Sequence, residues 1–227
     1  MRRKRTGLFG VALLVLTLVF SGCGTQEEKD PFVKLEFENG DTIVMELYPE
    51  VAPMTVKHFM ENVKSKYYNG KVFHRAVDGF MIQGGSSDGF GRGGTGRTVQ
   101  GEFSENGVQN DLKHTRGIVS MARSQDMNSA SGQFFIMLGD APHLDGKYAA
   151  FGKVVEGMDV VDKIAKQPTR GVQKDELVDK PVIKSITVLK NYTPPADSQA
   201  SPENTAAATP DGGQPAASAS PSTTPAA

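Results

Sequence analysis

Short β-prone runs, separated by turns rich in glycine, fill the middle of the sequence and limit the folds available to it. The stretch FVKLEFENGDTIVMELYPE holds two such runs around Asn39-Gly40, a pair preferred in tight hairpin turns. Six more follow, in KVFHRAV, FMIQ, GIVSMAR, QFFIML, AAFGKVV and VIKSITVLK. Strands this short bury their apolar faces within a curved sheet or barrel. The pattern therefore predicts a mainly β domain, built as a closed or nearly closed antiparallel barrel.

Two other segments have apolar residues at helical spacing. The first is APMTVKHFMENVKSKY, where Pro53 is tolerated because it falls in the first turn, and the second is MDVVDKIAKQ. We expect both helices at the ends of the barrel.

The N-terminus has the pattern of an export signal, predicted over residues 1–22. A basic start, MRRKR, precedes 14 apolar residues, which is short for a membrane-spanning helix of about 20 residues. The small residues Ser21 and Gly22 lead into Cys23, the only cysteine of the chain. This resembles a bacterial lipobox and predicts lipidation at Cys23, although an incidental thiol beside an ordinary cleavage site is the alternative. A single cysteine also excludes an internal disulfide.

Composition divides the rest of the chain into three parts. Residues 23–31 are predicted to be the lipidated cysteine with a short linker, 32–191 the folded domain, and 192–227 a disordered tail rich in Pro, Ala, Ser and Thr. Four of the 25 basic residues lie in the first five positions. The remainder has 21 basic and 26 acidic residues, a net charge of −5, which offers nucleic acid no broad attraction.

Arg75 and Gln83 stand out because they lie within the apolar stretch VFHRAVDGFMIQGG. An arginine on an exposed strand is usually solvated, but one in apolar surroundings keeps its charge and needs acceptors, which an amide can supply. Residues directly opposite each other on paired strands share one face of the sheet. A two-residue turn at Asp78-Gly79 would put the two side chains on opposite faces. A shared site therefore requires an odd-length connection of about three or five residues.

The segment GFGRGGTGRT contains Gly91, Gly93 and Gly96 in G-x-G-x-x-G spacing. A dinucleotide-binding fingerprint follows a buried strand and opens a helix. Here polar residues precede the glycines and no helical pattern follows them, which argues against nucleotide binding. We interpret the segment as a flexible loop bordering a peptide groove.

No other residues form a recognisable centre for metal or nucleophilic chemistry. The four histidines have no metal-ligand spacing, and His74 is interpreted as a hydrogen-bonded core residue. No serine has the sequence context of a nucleophile elbow. We expect no metal and no cofactor; hydrolysis stays open but has no support.

Four motifs, in order, resemble those of cyclophilin-type peptidyl-prolyl cis-trans isomerases. They are FHRAVDGFMIQGG, GIVSMAR, SGQFFIML and LDGKYAAFGKV, and the resemblance extends from the first hairpin to the last strand. It implies a closed eight-stranded antiparallel barrel capped by two α-helices, and it implies isomerase activity.

The resemblance also implies roles for individual residues. Arg75 matches the catalytic arginine, and Gln83 matches the residue that supports it and the substrate carbonyl. The wall of the implied proline pocket consists of Phe80, Met81, Phe135 and Leu144. The implied groove for the residues before proline consists of Ala122, Gln133 and Arg123, the last standing where many relatives have Asn.

Two further positions in the substrate site differ from many eukaryotic relatives. His143 stands where those relatives have the Trp that binds cyclosporin, and Tyr148 stands where they have a pocket His. We therefore expect an active isomerase that cyclosporin inhibits poorly.

The combined expectation is an isomerase that assists the folding of exported proteins at the outer face of the cytoplasmic membrane. Its partners would be Xaa-Pro segments of exported polypeptides and, through the lipid anchor, the membrane; nucleic acid is not expected, and the chain is expected to be a monomer. A peptide-binding chaperone with incidental isomerase activity is the alternative, and an adhesion or assembly module using the tail is a third.

Overall fold

The computed structural model describes residues 31–195, which contain ten β-strands and two α-helices. The strands are β1 Phe32–Phe37, β2 Thr42–Leu47, β3 Phe73–Val77, β4 Met81–Gly84, β5 Ile118–Met121, β6 Phe134–Met137, β7 Ala150–Glu156, β8 Thr169–Arg170, β9 Glu176–Leu177 and β10 Ile183–Leu189. The helices are α1 Pro53–Lys64 and α2 Met158–Ala165, and two 3-10 turns span Ser104–Asn106 and Pro142–Leu144.

All ten strands belong to one antiparallel sheet, in the order β10-β1-β2-β7-β5-β6-β4-β3-β9-β8. The first hairpin turns at Asn39-Gly40, as its sequence predicts, and Gly40 has a φ of 90° that glycine adopts without strain. The mainly β class and the two helices are thus confirmed.

The expectation of a closed barrel of eight strands is wrong in the number of strands and in closure. Two short strands, β8 and β9, come from a polar segment without an alternating pattern, and β9 pairs with β3 at the edge where closure would occur. Between β3 and β10 there is only an isolated bridge, Val72↔Val182. Pro181 lies directly before that bridge and has no N–H to donate, which limits a longer ladder there. The sheet therefore curves round without forming a continuous closed ladder.

The main core lies between the sheet and the two helices. Helix α1 buries Val56, Phe59 and Val63, the helical spacing seen in the sequence, and the Phe59 ring packs at 5.6 Å and edge-on against Phe134. Helix α2 buries Val160, Val161 and Ile164. Each such side chain contributes about 1.5–3 kcal/mol when it leaves water.

The N-terminus of α1 is capped by a residue distant in sequence. Ala52 at the N-cap has no side-chain oxygen, so the free N–H groups of the first turn need another acceptor. Glu102 supplies it: its Oε1 accepts from Met54 N at 3.0 Å, and its Oε2 accepts from Thr55 N at 2.7 Å and Thr55 Oγ1 at 2.6 Å. This buried carboxylate fixes α1 to the loop that precedes Ser104.

The predicted signal peptide, Cys23 and all but the first four residues of the predicted tail lie outside the described residues. Tyr192, where the predicted tail begins, packs its ring 5.0 Å from Phe32, and its hydroxyl donates to Glu156. No helix within 31–195 has the length and apolarity needed to cross a membrane.

Candidate active site

The hairpin of β3 and β4 brings Arg75 and Gln83 to one face. Arg75 pairs with Gln83 and Val77 with Met81, so three residues, Asp78 to Phe80, connect the strands. This is the odd-length connection that a shared site requires, because an even one would turn the two side chains to opposite faces. The pairing of Arg75 with Gln83 is thus set by the length of the turn.

Polar contacts hold the Arg75 guanidinium on two sides. Its Nε donates to Asp175 Oδ2 at 2.7 Å, and its Nη1 donates to Gln83 Oε1 at 3.4 Å. Nη2 has no hydrogen bond to any residue in 31–195. The Arg75 side chain is 37% exposed, so the free nitrogen can be reached from solvent.

The amide chain continues from Gln83 to the glycine-rich loop. Gln83 Nε2 donates to Gln133 Oε1 at 2.9 Å, and Gln133 Nε2 donates to the carbonyl oxygens of Gly91 at 3.0 Å and Gly93 at 2.9 Å. The segment GFGRGGTGRT therefore lies beside Gln133, next to the predicted site.

Apolar side chains on the same side form a second cluster, separate from the main core. Its buried members include Met81 and Phe135, and four other residues of the predicted site pack against it: Phe80, Ala122, Leu144 and Tyr148. Met81 and Phe135 occupy paired strands, because β4 lies next to β6. The fold thus assembles the predicted proline-pocket residues from three separate parts of the chain, around residues 80–81, 135 and 144.

Arg123 and His143 both lie against aromatic rings. The Arg123 guanidinium carbon lies 4.8 Å from the Tyr148 ring centroid and 5.1 Å from that of Phe103, and its Nε donates to Lys147 O at 3.0 Å. His143 stacks on Phe80 with 5.7 Å between centroids. Arg123 therefore covers the outer side of Tyr148 through cation–π contacts.

A buried histidine with two polar partners packs against the Phe135 ring. The His114 ring stacks on Phe135 at 6.0 Å, and it lies within hydrogen-bond distance of Asp145 and Ser120. Burial lowers the pKa of His114, although the hydrogen bond to Asp145 opposes that shift. The ring is therefore held neutral at physiological pH.

His74, next to Arg75 on β3, is buried, as the sequence predicts. Its Nδ1 lies 3.4 Å from Ser86 Oγ, and burial together with the charge of Lys180 lowers its pKa to about 4. It adds no positive charge beside Arg75 at neutral pH. Residues 31–195 contain no group of three or more His, Cys, Asp or Glu side chains able to hold a metal ion.

Sequence reasoning did not find Asp175. It lies 100 residues beyond Arg75 in a polar segment, TRGVQKDEL, that has neither strand alternation nor a motif. Nothing in the sequence pairs the two residues, because the contact depends on the hairpin of β8 and β9 docking onto β3.

Comparison with known proteins identifies the family of this chain. Residues 32–188 match the family model "Cyclophilin type peptidyl-prolyl cis-trans isomerase/CLD". The chain is 44% identical over 163 residues to "Peptidyl-prolyl cis-trans isomerase-like 3" of Gallus gallus, covering 70% of this chain and 96% of that protein. It is 40% identical over 159 residues to the longer "Peptidyl-prolyl cis-trans isomerase-like 2" of Gibberella zeae, covering 70% of this chain but only 26% of that protein.

A solved structure has the same fold. The crystal structure of a cyclophilin-type isomerase of Cryptosporidium parvum, determined in the presence of the dipeptide Ala-Pro, matches with a TM-score of 0.63 and 32% identity. The match covers 70% of this chain and 99% of that one. The family model, the curated relatives and the solved structure all name one family, and the chain belongs to the cyclophilin-type peptidyl-prolyl cis-trans isomerases.

Proposed function

We propose that this chain isomerises Xaa-Pro bonds of exported polypeptides, with Arg75 as the catalytic hydrogen-bond donor, while a lipid on Cys23 holds it at the outer face of the cytoplasmic membrane. One observation carries the catalytic part. The Arg75 guanidinium is fixed on two edges beside the apolar cluster and leaves Nη2 open. The Ala-Pro present with the Cryptosporidium relative supports an Xaa-Pro substrate.

The chemistry needs a donor and no covalent step. Rotation about the peptide bond crosses a barrier of about 18–20 kcal/mol because it breaks amide resonance. In the twisted state the prolyl nitrogen regains its lone pair. Arg75 can donate to that lone pair, which the planar amide does not offer, so the bond is made mainly in the transition state.

The apolar cluster supplies the remaining stabilisation. A turnover of about 10² to 10³ per second requires the barrier to fall by roughly 5–7 kcal/mol. One charge-assisted hydrogen bond contributes about 1.5–3 kcal/mol. Phe80, Met81, Phe135 and Leu144 would grip the proline ring, and Gln83 would hold the carbonyl, so that the peptide is bound twisted in a groove with little water.

The location of the enzyme is inferred from its N-terminus. The basic start, the apolar run of 14 residues and the small residues before Cys23 support export and lipidation. More than one acyl chain gives stable anchoring where a single chain does not. Clients would then meet the groove as they leave the membrane.

Replacing Arg75 tests the catalytic role. We expect Arg75→Ala to lower kcat/KM by about 10²- to 10³-fold in a protease-coupled assay on a short Xaa-Pro peptide, since a transition-state donor is lost. The matched control is Arg116→Ala, because Arg116 binds Asp162 and the Leu138 carbonyl and is not one of the predicted site residues. Full activity in a folded Arg75→Ala protein would exclude Arg75 as the donor.

The same variant separates the isomerase from a chaperone. If peptide binding is the main role, Arg75→Ala would still suppress aggregation of an unfolded client as well as the native chain does. An isomerase role predicts that Arg75→Ala loses its acceleration of a proline-limited refolding step.

Replacing Cys23 tests the anchor. Cys23→Ser is expected to move the protein from the membrane fraction to the soluble extracytoplasmic fraction while isomerase activity is kept. An unmodified Cys23 thiol in the mature native protein, found by mass spectrometry, would exclude lipidation.

A further inference from the structure

The contact between Arg75 and Asp175 is the tightest that the guanidinium makes. The distance from Nε to Oδ2 is 2.7 Å, against 3.4 Å from Nη1 to the Gln83 oxygen. Asp175 is also the less exposed partner, at 18% against 37%. A charge-assisted bond of this length orients a planar guanidinium more firmly than a long bond to a neutral amide.

We propose that Asp175 is a positioning residue that holds Arg75 in its catalytic orientation. This inference rests on the proposed catalytic role of Arg75. Fixing the Nε edge of the planar group fixes the direction of Nη2, the nitrogen left open for substrate. Without Asp175, the guanidinium would keep only the contact from Nη1 to Gln83 Oε1 at 3.4 Å. That single contact would leave the Arg75 side chain free to rotate.

The backbone delivers Asp175 to this place. Glu176 pairs with Arg75 in the register of β9 and β3, and the Asp175 carbonyl accepts from Ala76 N at 2.9 Å. The carboxylate therefore stays beside the guanidinium as long as the short hairpin of β8 and β9 is docked.

The neighbouring carboxylate has different partners. Glu176 binds Arg170 and Lys180, each at 3.0 Å, and contacts no nitrogen of Arg75. Glu176→Gln therefore removes a negative charge one position away without removing a hydrogen bond or ion pair of the Arg75 side chain, and it is the matched control.

A purely structural role and a positioning role of Asp175 predict different effects of its removal on stability and on turnover. A part-buried ion pair with a purely structural role acts on stability, so a structural Asp175 would lower the urea midpoint and leave turnover alone. A positioning Asp175 would change kcat, because Nη2 would no longer be presented to the twisted bond, and would leave KM nearly unchanged.

The experiment is a double-mutant cycle on the full chain in detergent, with kcat and KM measured on an Xaa-Pro peptide by NMR exchange at high enzyme concentration. We expect Asp175→Ala to lower kcat about tenfold, equivalent to about 1.4 kcal/mol, with KM changed less than twofold. Asp175→Asn, which keeps the shape and one acceptor oxygen, should lose less, and Glu176→Gln should stay within twofold of the native chain. In the Arg75→Ala background, Asp175→Ala should cause no further loss.

The outcomes separate the two proposals. Full activity in Arg75→Ala would overturn the catalytic role of Arg75 and this inference with it. Loss in Arg75→Ala but native kcat in both Asp175 variants would overturn this inference alone. An equal loss of kcat from Asp175→Ala with and without Arg75 would show that Asp175 acts through the fold and overturn this inference. Circular dichroism spectra showing that both Asp175 variants are unfolded would lead to the same conclusion.

Discussion

His114 Nε2 lies 3.0 Å from the hydroxyl oxygen of Ser120. Its Nδ1 lies 3.1 Å from Asp145 Oδ1, so the three side chains make contacts in the order of a hydrolase triad. Ser120 is 0% exposed, however, and the His114 ring packs on Phe135. An acyl substrate cannot reach the hydroxyl, so these contacts position the wall of the apolar cluster.

A serine-reactive probe tests this interpretation. We expect a fluorophosphonate to leave the folded chain unlabelled under conditions that label a serine protease added to the same tube, because the Ser120 oxygen is buried. A labelled peptide containing Ser120 would reopen the hydrolase alternative that the sequence left standing.

The second prediction concerns the cap that Glu102 provides for α1. Glu102→Ala removes three hydrogen bonds to a buried carboxylate and leaves the first turn of α1 without its acceptor. We expect a loss of about 2–4 kcal/mol in the free energy of unfolding, measured by urea denaturation. Glu105→Gln is the control: its side chain is half exposed and 4.0 Å from Lys147, so its loss should stay within about 0.5 kcal/mol. Similar losses in both variants would contradict a capping role.

The third prediction concerns pH. Burial lowers the pKa of His74 from 6.5 to about 4 in the folded chain. Above pH 6.5 both states are neutral at this residue, whereas between pH 6.5 and 4 only the unfolded chain binds the proton. Stability is therefore lost as the pH falls through this window, by up to about 3 kcal/mol from His74.

His74→Gln isolates that contribution. The variant should show a flatter fall in unfolding free energy between pH 6.5 and 4 than the native chain. Part of the fall should remain, because burial also lowers the pKa of His114. Above pH 7.5 the two curves should run parallel. An unchanged slope in the variant would show that His74 does not control acid stability.

The fourth prediction concerns cyclosporin and His143, whose ring stacks on Phe80 at the edge of the cluster. An imidazole covers less apolar surface than the indole of relatives that bind the drug, by roughly 50–80 Å², which costs about 1–2 kcal/mol. A misplaced donor adds about 1 kcal/mol. We expect inhibition about 10- to 100-fold weaker than in those relatives, with His143→Trp inhibited more strongly than the native chain. Equal inhibition constants for the two forms would show that this position does not determine drug affinity.

Local patterns account for the parts of the fold that could be predicted. The hairpin at Asn39-Gly40 and the two helices follow from turn residues and periodicity within a few residues. The sequence left the shared face of Arg75 and Gln83 conditional on the length of their turn, which the structure supplies. The failure of barrel closure and the contact from Asp175 depend on how a polar segment docks more than 90 residues away. Such contacts leave no repeating pattern in the sequence, because each joins one side chain to one distant partner. The two partners meet only after the sheet has formed.

The pairing of β1 with β10 sets an order in which this domain can be completed. Phe32 lies opposite Leu189, so the first strand to be synthesised waits for the last. During synthesis β1 can pair with β2 early, while its other edge stays unpaired until β10 has been made. Contacts so distant along the chain form slowly. The domain can therefore complete its sheet only after residues 183–189 have been synthesised, and until then β1 offers an unpaired edge to other chains.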